Sequence, residues 1–138
     1  MEIHESGEDY LEQILMLSEK QGQVRSIDIA TSMGVSKPSV SNAMKKLRLG
    51  GLIRVDGDGF ITLTDGGMEI AAKIYERHRV LAAVLISLGV DEDTAFEDAC
   101  KIEHDISEDS FRRIQQHYRA HKYTDILYFE ILGFFGIK

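Results

Sequence analysis

Ser26-Ile27-Asp28-Ile29-Ala30-Thr31-Ser32-Met33-Gly34-Val35-Ser36-Lys37-Pro38-Ser39-Val40-Ser41 holds two helix starts and one helix stop. Ser26 suits the cap of a short helix that buries Ile29, Ala30 and Met33. Gly34 supplies the positive φ that a tight turn between helices demands. Ser36 caps a second helix, and Pro38 falls in its first turn, where a missing amide hydrogen is tolerated. Val40, Ala43, Met44 and Leu47 make the inner side of that helix, leaving Lys37, Ser39, Ser41, Asn42, Lys45 and Lys46 for other surfaces. This is the grammar of a helix-turn-helix, although any pair of packed helices can share it.

The next residues narrow the reading. Gly51-Leu52-Ile53-Arg54-Val55 and Phe60-Ile61-Thr62-Leu63-Thr64 flank the turn Asp56-Gly57-Asp58-Gly59, which predicts a β-hairpin. A hairpin directly after a helix-turn-helix is a wing. In a winged helix, small polar residues at the start of the second helix (Ser36, Ser39, Ser41, Asn42) approach base edges, with Pro38 among them at the DNA surface. Lys37, Lys45 and Lys46 then meet phosphates. The acidic wing tip makes Arg54, rather than the tip, the phosphate contact of the hairpin.

Charge is segregated along the chain. The net charge is -7, yet Lys37, Lys45, Lys46, Arg48 and Arg54 face no acid between Ser36 and Arg54, a local +5. Between Asp91 and Ser110, nine acids face Lys101 alone, a local -8. Phosphates respond to the local patch more than to the total. The pattern fits an anion at one end and a cation at the other.

Upstream, Glu5 to Gln21 predicts a helix with Tyr10, Leu11, Ile14, Leu15 and Leu17 inside. Asp9 and Glu12 flank that stripe, as carboxylates often do near a helix N-terminus without binding anything. Downstream, Thr64 or Asp65 caps a long helix, roughly 66–88, whose stripe of Ala71, Ile74, Tyr75, Ala82 and Leu85 includes His78. Asp91 to Asp93 open a further helix carrying Cys100, Glu103 and His104. At i, i+3 and i+4 these three share a face. They continue the stripe Ala95, Phe96, Ala99, so they are expected to point inward. A thiol, a carboxylate and an imidazole converging there suit a transition metal; a buried Cys beside a salt-bridged Glu and His is the bland alternative. Ser107 caps another amphipathic helix with Phe111, Ile114 and Tyr118 inside. His117 and His121 lie i, i+4 on it, but they sit among Arg113, Arg119 and Lys122 and read as surface or packing residues. The tail from Tyr123 to Lys138 is strongly apolar and is expected to dock on the body or on a second subunit.

At 138 residues the length suits one domain or two small lobes. A hydrophobic content of 43% and a charged content of 28% are ordinary for a globular chain. A single cysteine allows no internal disulfide, which fits a reducing cytoplasm. No signal peptide is visible at the acidic N-terminus and no apolar run reaches the length needed to span a bilayer, so no membrane partner is expected. H-E-x-x-H, nucleophile-elbow and P-loop motifs are missing, which argues against an enzyme.

These residues resemble the metal-dependent repressors typified by the diphtheria toxin repressor and the manganese transport regulator. The likeness runs from about Glu8 to about Ile114. It is carried by E-D-Y-L-E-Q-I at 8–14, S-K-P-S-V-S at 36–41, R-H at 77–78 and C-K-I-E-H-D-I-S at 100–107. It implies a mainly α fold: a winged helix-turn-helix DNA-binding domain over 1–64, with a small β-hairpin wing, and a helical metal-binding and dimerisation domain over 65–138. It implies a homodimer on a double-stranded DNA operator. It also implies a metal site built from Asp9, Glu12, His78, Cys100, Glu103 and His104. Asp9 and Glu12 follow the manganese-regulator pattern, whereas Cys100 follows the diphtheria-type pattern, so the ligand set is a hybrid. Ala82 stands where diphtheria-type proteins carry an acid, and their SH3-like domain is not expected here. Mn²⁺ or Fe²⁺ is the expected effector, with two ions per protomer allowed by the donor count, and Zn²⁺ or Co²⁺ as tight binders in the test tube. The rivals are a winged-helix regulator that senses a small organic ligand without metal and a hydrolytic metalloenzyme.

Overall fold

The structure, a computed structural model, describes residues 5–120. Its elements run α1 (Glu5–Gln21), α2 (Ser26–Met33), α3 (Lys37–Leu49), β1 (Ile53–Val55), β2 (Ile61–Leu63), α4 (Asp65–Ser87), α5 (Glu92–Ile102) and α6 (Glu108–Ala120). The chain forms two compact units, the first ending at Lys73 and the second beginning at Ile74. The division thus falls inside α4, beyond the boundary between 64 and 65 that the resemblance implies for the two domains. The apolar tail and His121 lie outside the described residues.

In the first unit, α1 buries Tyr10, Leu11, Ile14, Leu15 and Leu17, the stripe expected from the sequence. Leu11 and Ile14 are wholly enclosed, and a fully buried aliphatic side chain contributes roughly 1.5–3 kcal/mol. These side chains share the core with Ile29 of α2, Val40, Met44 and Leu47 of α3, and Ile53 and Ile61 of the hairpin.

The start of α2 differs from the expectation. Its N-cap is Arg25, in extended backbone, and Ser26 is already the first helical residue. Arginine is no capping side chain, but Asp28 compensates: its Oδ2 accepts from the Arg25 amide at 2.9 Å. This is the reach-back half of a capping box. At the other end Gly34 takes the left-handed conformation, φ 66°, and its amide and that of Val35 both donate to the Ala30 carbonyl. Ser36 caps α3 as expected, its Oγ accepting from the Ser39 amide at 3.2 Å.

The wing is a two-stranded antiparallel hairpin pairing Ile53 with Leu63, Arg54 with Thr62 and Val55 with Ile61. Its acidic tip has a structural cause: Asp56 Oδ1 accepts from the amides of Asp58 and Phe60, both at 2.9 Å. At its base, the Ile61 amide donates to the Val24 carbonyl at 2.7 Å, and the Arg25 guanidinium lies 4.4 Å from the centre of the Phe60 ring. Thr64 caps α4, accepting from the Gly67 amide and donating to the Gly51 carbonyl. A Cβ on Gly67 would stand 2.0 Å from the Leu52 carbonyl oxygen, so only glycine lets α4 leave the wing this closely.

In the second unit, α4 is enclosed over a wide arc, with Ile74, Tyr75, Arg77, His78, Val80, Leu81, Ala82 and Ala83 all buried. α5 contributes Ala95, Phe96 and Ala99, and α6 contributes Phe111. Ser107 caps α6 by accepting from the Ser110 amide at 3.0 Å. Among the described residues, no helix is long and apolar enough to cross a membrane.

Candidate metal centre and nucleic-acid interface

α5 ends two residues earlier than the helical trio required. Ile102 is its last residue, Glu103 is the C-cap (φ −57°, ψ −26°), and His104 stands in the turn beyond. The Glu103 backbone stays helical enough for its amide to donate to the Ala99 carbonyl at 3.0 Å. Glu103 and His104 therefore still point inward: Glu103 is 0% exposed and the His104 side chain 3%. Cys100, one turn earlier on α5, is exposed as a residue. Its Sγ nevertheless lies within 4.8 Å of a Glu103 carboxylate oxygen.

The Glu103 carboxylate sits between two imidazoles. His78 Nδ1 is 3.6 Å from Oε2, and His104 Nε2 is 3.4 Å from Oε1. His78 is oriented from behind. Its Nε2 lies 3.2 Å from the Phe96 carbonyl oxygen, which can only accept, so Nε2 carries the hydrogen and Nδ1 faces Glu103. The Phe96 ring meets the His78 ring edge-on at 5.9 Å. A histidine that donates one ring N–H to a carbonyl and turns the other nitrogen to a buried carboxylate has the supporting shell typical of a metal ligand.

This donor set fits a divalent cation. Enclosing a carboxylate costs several kcal/mol unless opposite charge accompanies it. The buried arginine beside it, Arg77, donates to the Glu103 main-chain carbonyl rather than to the carboxylate. The sequence assigned Arg77 no role beyond its place in an R-H pair; carbonyl acceptors leave no mark in a sequence. In the first unit, Asp9 is half-buried and Glu12 only 5% exposed, both on α1. Glu12 is thus no part of a solvated acidic face. His117 is exposed on α6, consistent with a surface residue.

The residues expected to contact DNA lie on the surface of the first unit. Ser36, Lys37, Pro38, Ser39, Ser41, Asn42, Lys45 and Lys46 are all exposed at or on α3, and Arg54 is exposed on β1. Pro38 in the first turn and Ser36 at the cap define the N-terminal end of α3, the end that a recognition helix presents to base edges. Arg48 adds a further exposed cation in the last turn of α3.

Comparison with known proteins agrees with both halves. Residues 2–59 match the iron dependent repressor N-terminal DNA binding domain, and residues 64–124 match the iron dependent repressor metal binding and dimerisation domain. An uncharacterised HTH-type transcriptional regulator of Methanocaldococcus jannaschii is 36% identical over 115 residues, covering 82% of this chain and 92% of the relative. The HTH-type transcriptional regulator MntR of Bacillus subtilis is 37% identical over 109 residues, covering 79% and 77%. The solved structure of the manganese regulator SloR superposes with a TM-score of 0.73 at 33% identity, covering 82% of this chain and 53% of that one. The chain thus spans about half the length of this structure and of that of a manganese-dependent transcriptional repressor in complex with manganese. With a capped recognition helix and wing in one unit and a buried His–Glu–His cluster in the other, the chain belongs to the diphtheria toxin repressor and manganese transport regulator family of metal-dependent, DNA-binding transcriptional repressors.

Proposed function

We propose that this protein is a metal-activated repressor of manganese or iron homeostasis genes, binding a double-stranded DNA operator as a homodimer. The observation that carries the reading is the wholly buried Glu103 carboxylate flanked by His78 and His104. The matched dimerisation domain and the manganese regulators among the relatives support the partners and the class of ion.

Asp9, Glu12, His78, Cys100, Glu103 and His104 would hold the ion, and this number of donors suffices for two adjacent ions. Carboxylates suit Mn²⁺ and Fe²⁺, imidazole suits the later metals, and the Cys100 thiolate pulls toward Fe²⁺, Co²⁺ or Zn²⁺. Mn²⁺ or Fe²⁺ is the proposed effector; Zn²⁺ and Co²⁺ bind in the test tube because affinity follows the Irving–Williams order. A reduced thiolate at Cys100 fits the cytoplasm.

When bound, the ion supplies the positive charge that offsets these acids. Asp9 and Glu12 sit on α1, whose apolar side shares a core with the helix-turn-helix. Drawing their carboxylates into the ligand set ties metal occupancy to the DNA-contacting helices, which is coupling between two sites. In the homodimer, two copies of α3 enter major-groove half-sites about 34 Å apart, or a multiple of that. Ser39, Ser41 and Asn42 read base edges, while Lys37, Lys45, Lys46 and Arg54 neutralise phosphates.

Titrating the metal-free chain with Co²⁺ tests the ligand set. The expected result is a thiolate-to-cobalt charge-transfer band that disappears in Cys100→Ser, while the visible ligand-field bands persist. A chain that leaves Co²⁺ in its aqueous form contradicts the reading and leaves a metal-independent regulator in its place.

A further inference from the structure

Arg77 is a buried cation that metal binding does not use directly. It is 8% exposed and sits on α4 immediately before His78. Its Nη1 donates to the Glu103 carbonyl at 3.0 Å and to the Ile106 carbonyl at 3.2 Å, and its Nη2 donates to Glu108 Oε2 at 2.8 Å. The guanidinium lies 5.2 Å from the centre of the Phe111 ring. One planar fork thereby joins α4 to the turn that leaves α5 and to the first turn of α6. A lysine could not reproduce it, because an ammonium is a point charge without a fixed fork.

The bonded carbonyl belongs to Glu103 itself. Two successive residues of α4 therefore address one residue: Arg77 holds the Glu103 main chain, and His78 faces its carboxylate. Past Ile102 the helix gives way to a turn, which the Glu103 amide ties to the Ala99 carbonyl and the Asp105 amide to the Ile102 carbonyl, so contacts from outside the segment share in setting the direction in which Glu103 and His104 leave the backbone.

We propose that Arg77 is a positioning residue for the metal centre. It clamps the main chain at 103–106 so that Glu103 and His104 are presented to the ion before the ion arrives, and Glu108 holds the guanidinium in place. The inference rests on the metal-binding reading above. A purely packing arginine would stabilise the chain without setting the ligands' direction, and the two roles separate by experiment.

Arg77→Gln is compared with the wild-type chain in three measurements: circular dichroism for the fold, amide hydrogen exchange of 103–107 without metal, and Co²⁺ titration by visible absorption. With the fold retained, exchange at 103–107 is expected to rise at least about tenfold, since local opening is set by local contacts. Co²⁺ affinity is expected to fall about 10–100-fold with shifted ligand-field bands, the decrease typical of removing a supporting group. Arg77→Lys and Glu108→Gln are expected to move both quantities in the same direction by less. A folded Arg77→Gln chain with wild-type exchange, or with wild-type affinity and spectrum, overturns the proposal; if Arg77→Gln does not fold, Arg77→Lys decides by the same criteria. A wild-type chain that takes up no Co²⁺ overturns the metal reading and this proposal together, whereas wild-type uptake with an indifferent variant overturns this proposal alone.

Discussion

Glu103 is fully enclosed, and burial of this kind is where residue chemistry decides function. An isolated carboxylate would be expelled or neutralised there, whereas one set between His78 and His104 is ready for a shared cation. Glu103→Gln keeps the shape and removes the charge. The variant is expected to fold with wild-type circular dichroism and to lose metal affinity by more than the roughly 10–100-fold that removing a supporting group costs. Isothermal titration with Mn²⁺ checks it; an unchanged isotherm would mean that Glu103 is packing rather than a ligand. Cys100 shows the limit of reading residues by spacing. Position i of the trio predicted an inward thiol; Cys100 as a residue is exposed, while its Sγ still lies within 4.8 Å of a carboxylate oxygen of the buried Glu103.

At the scale of elements, α1, α3, the wing and α6 were legible because each carries its own local signals. The stripe from Tyr10 to Leu17, Ser36 before Pro38, the Gly/Asp turn and Ser107 before Phe111 are of this kind. The helix starts and ends that differ from expectation depend on partners distant in sequence or on atoms every residue has. Arg25 caps α2 through Asp28, and Asp28 at the third helical position was the available signal. The role of Arg77 was invisible because two of its three acceptors are main-chain carbonyls. The proposed ligand set on separate helices came only through the resemblance, since Asp9, Glu12 and His78 are each ordinary alone. For α3, the exposed Lys45 and Lys46 imply phosphate contacts. Lys45→Ala is expected to weaken operator and non-specific DNA alike, and to reduce the magnitude of the salt slope by about 1 for each phosphate left without its cation. Anisotropy titrations at several salt concentrations read this directly; weakening confined to the operator would instead make Lys45 a base reader.

Over the whole chain, two chemistries are kept apart. Basic residues gather from Ser36 to Arg54 and acids from Asp91 to Ser110, despite a net charge of -7. An acidic protein binds DNA most readily where its own negative field is locally offset, and a cation held by the acids both offsets that field and reports metal supply. Reciprocity follows, so operator DNA is expected to tighten metal binding by the same factor that metal tightens DNA binding. The most direct test is fluorescence anisotropy of operator DNA with the full chain at fixed salt, first with chelator and then with Mn²⁺ or, without air, Fe²⁺. Removal of metal is expected to weaken operator binding at least about tenfold, a coupling of about 1.4 kcal/mol; equal affinity with and without metal would contradict metal activation.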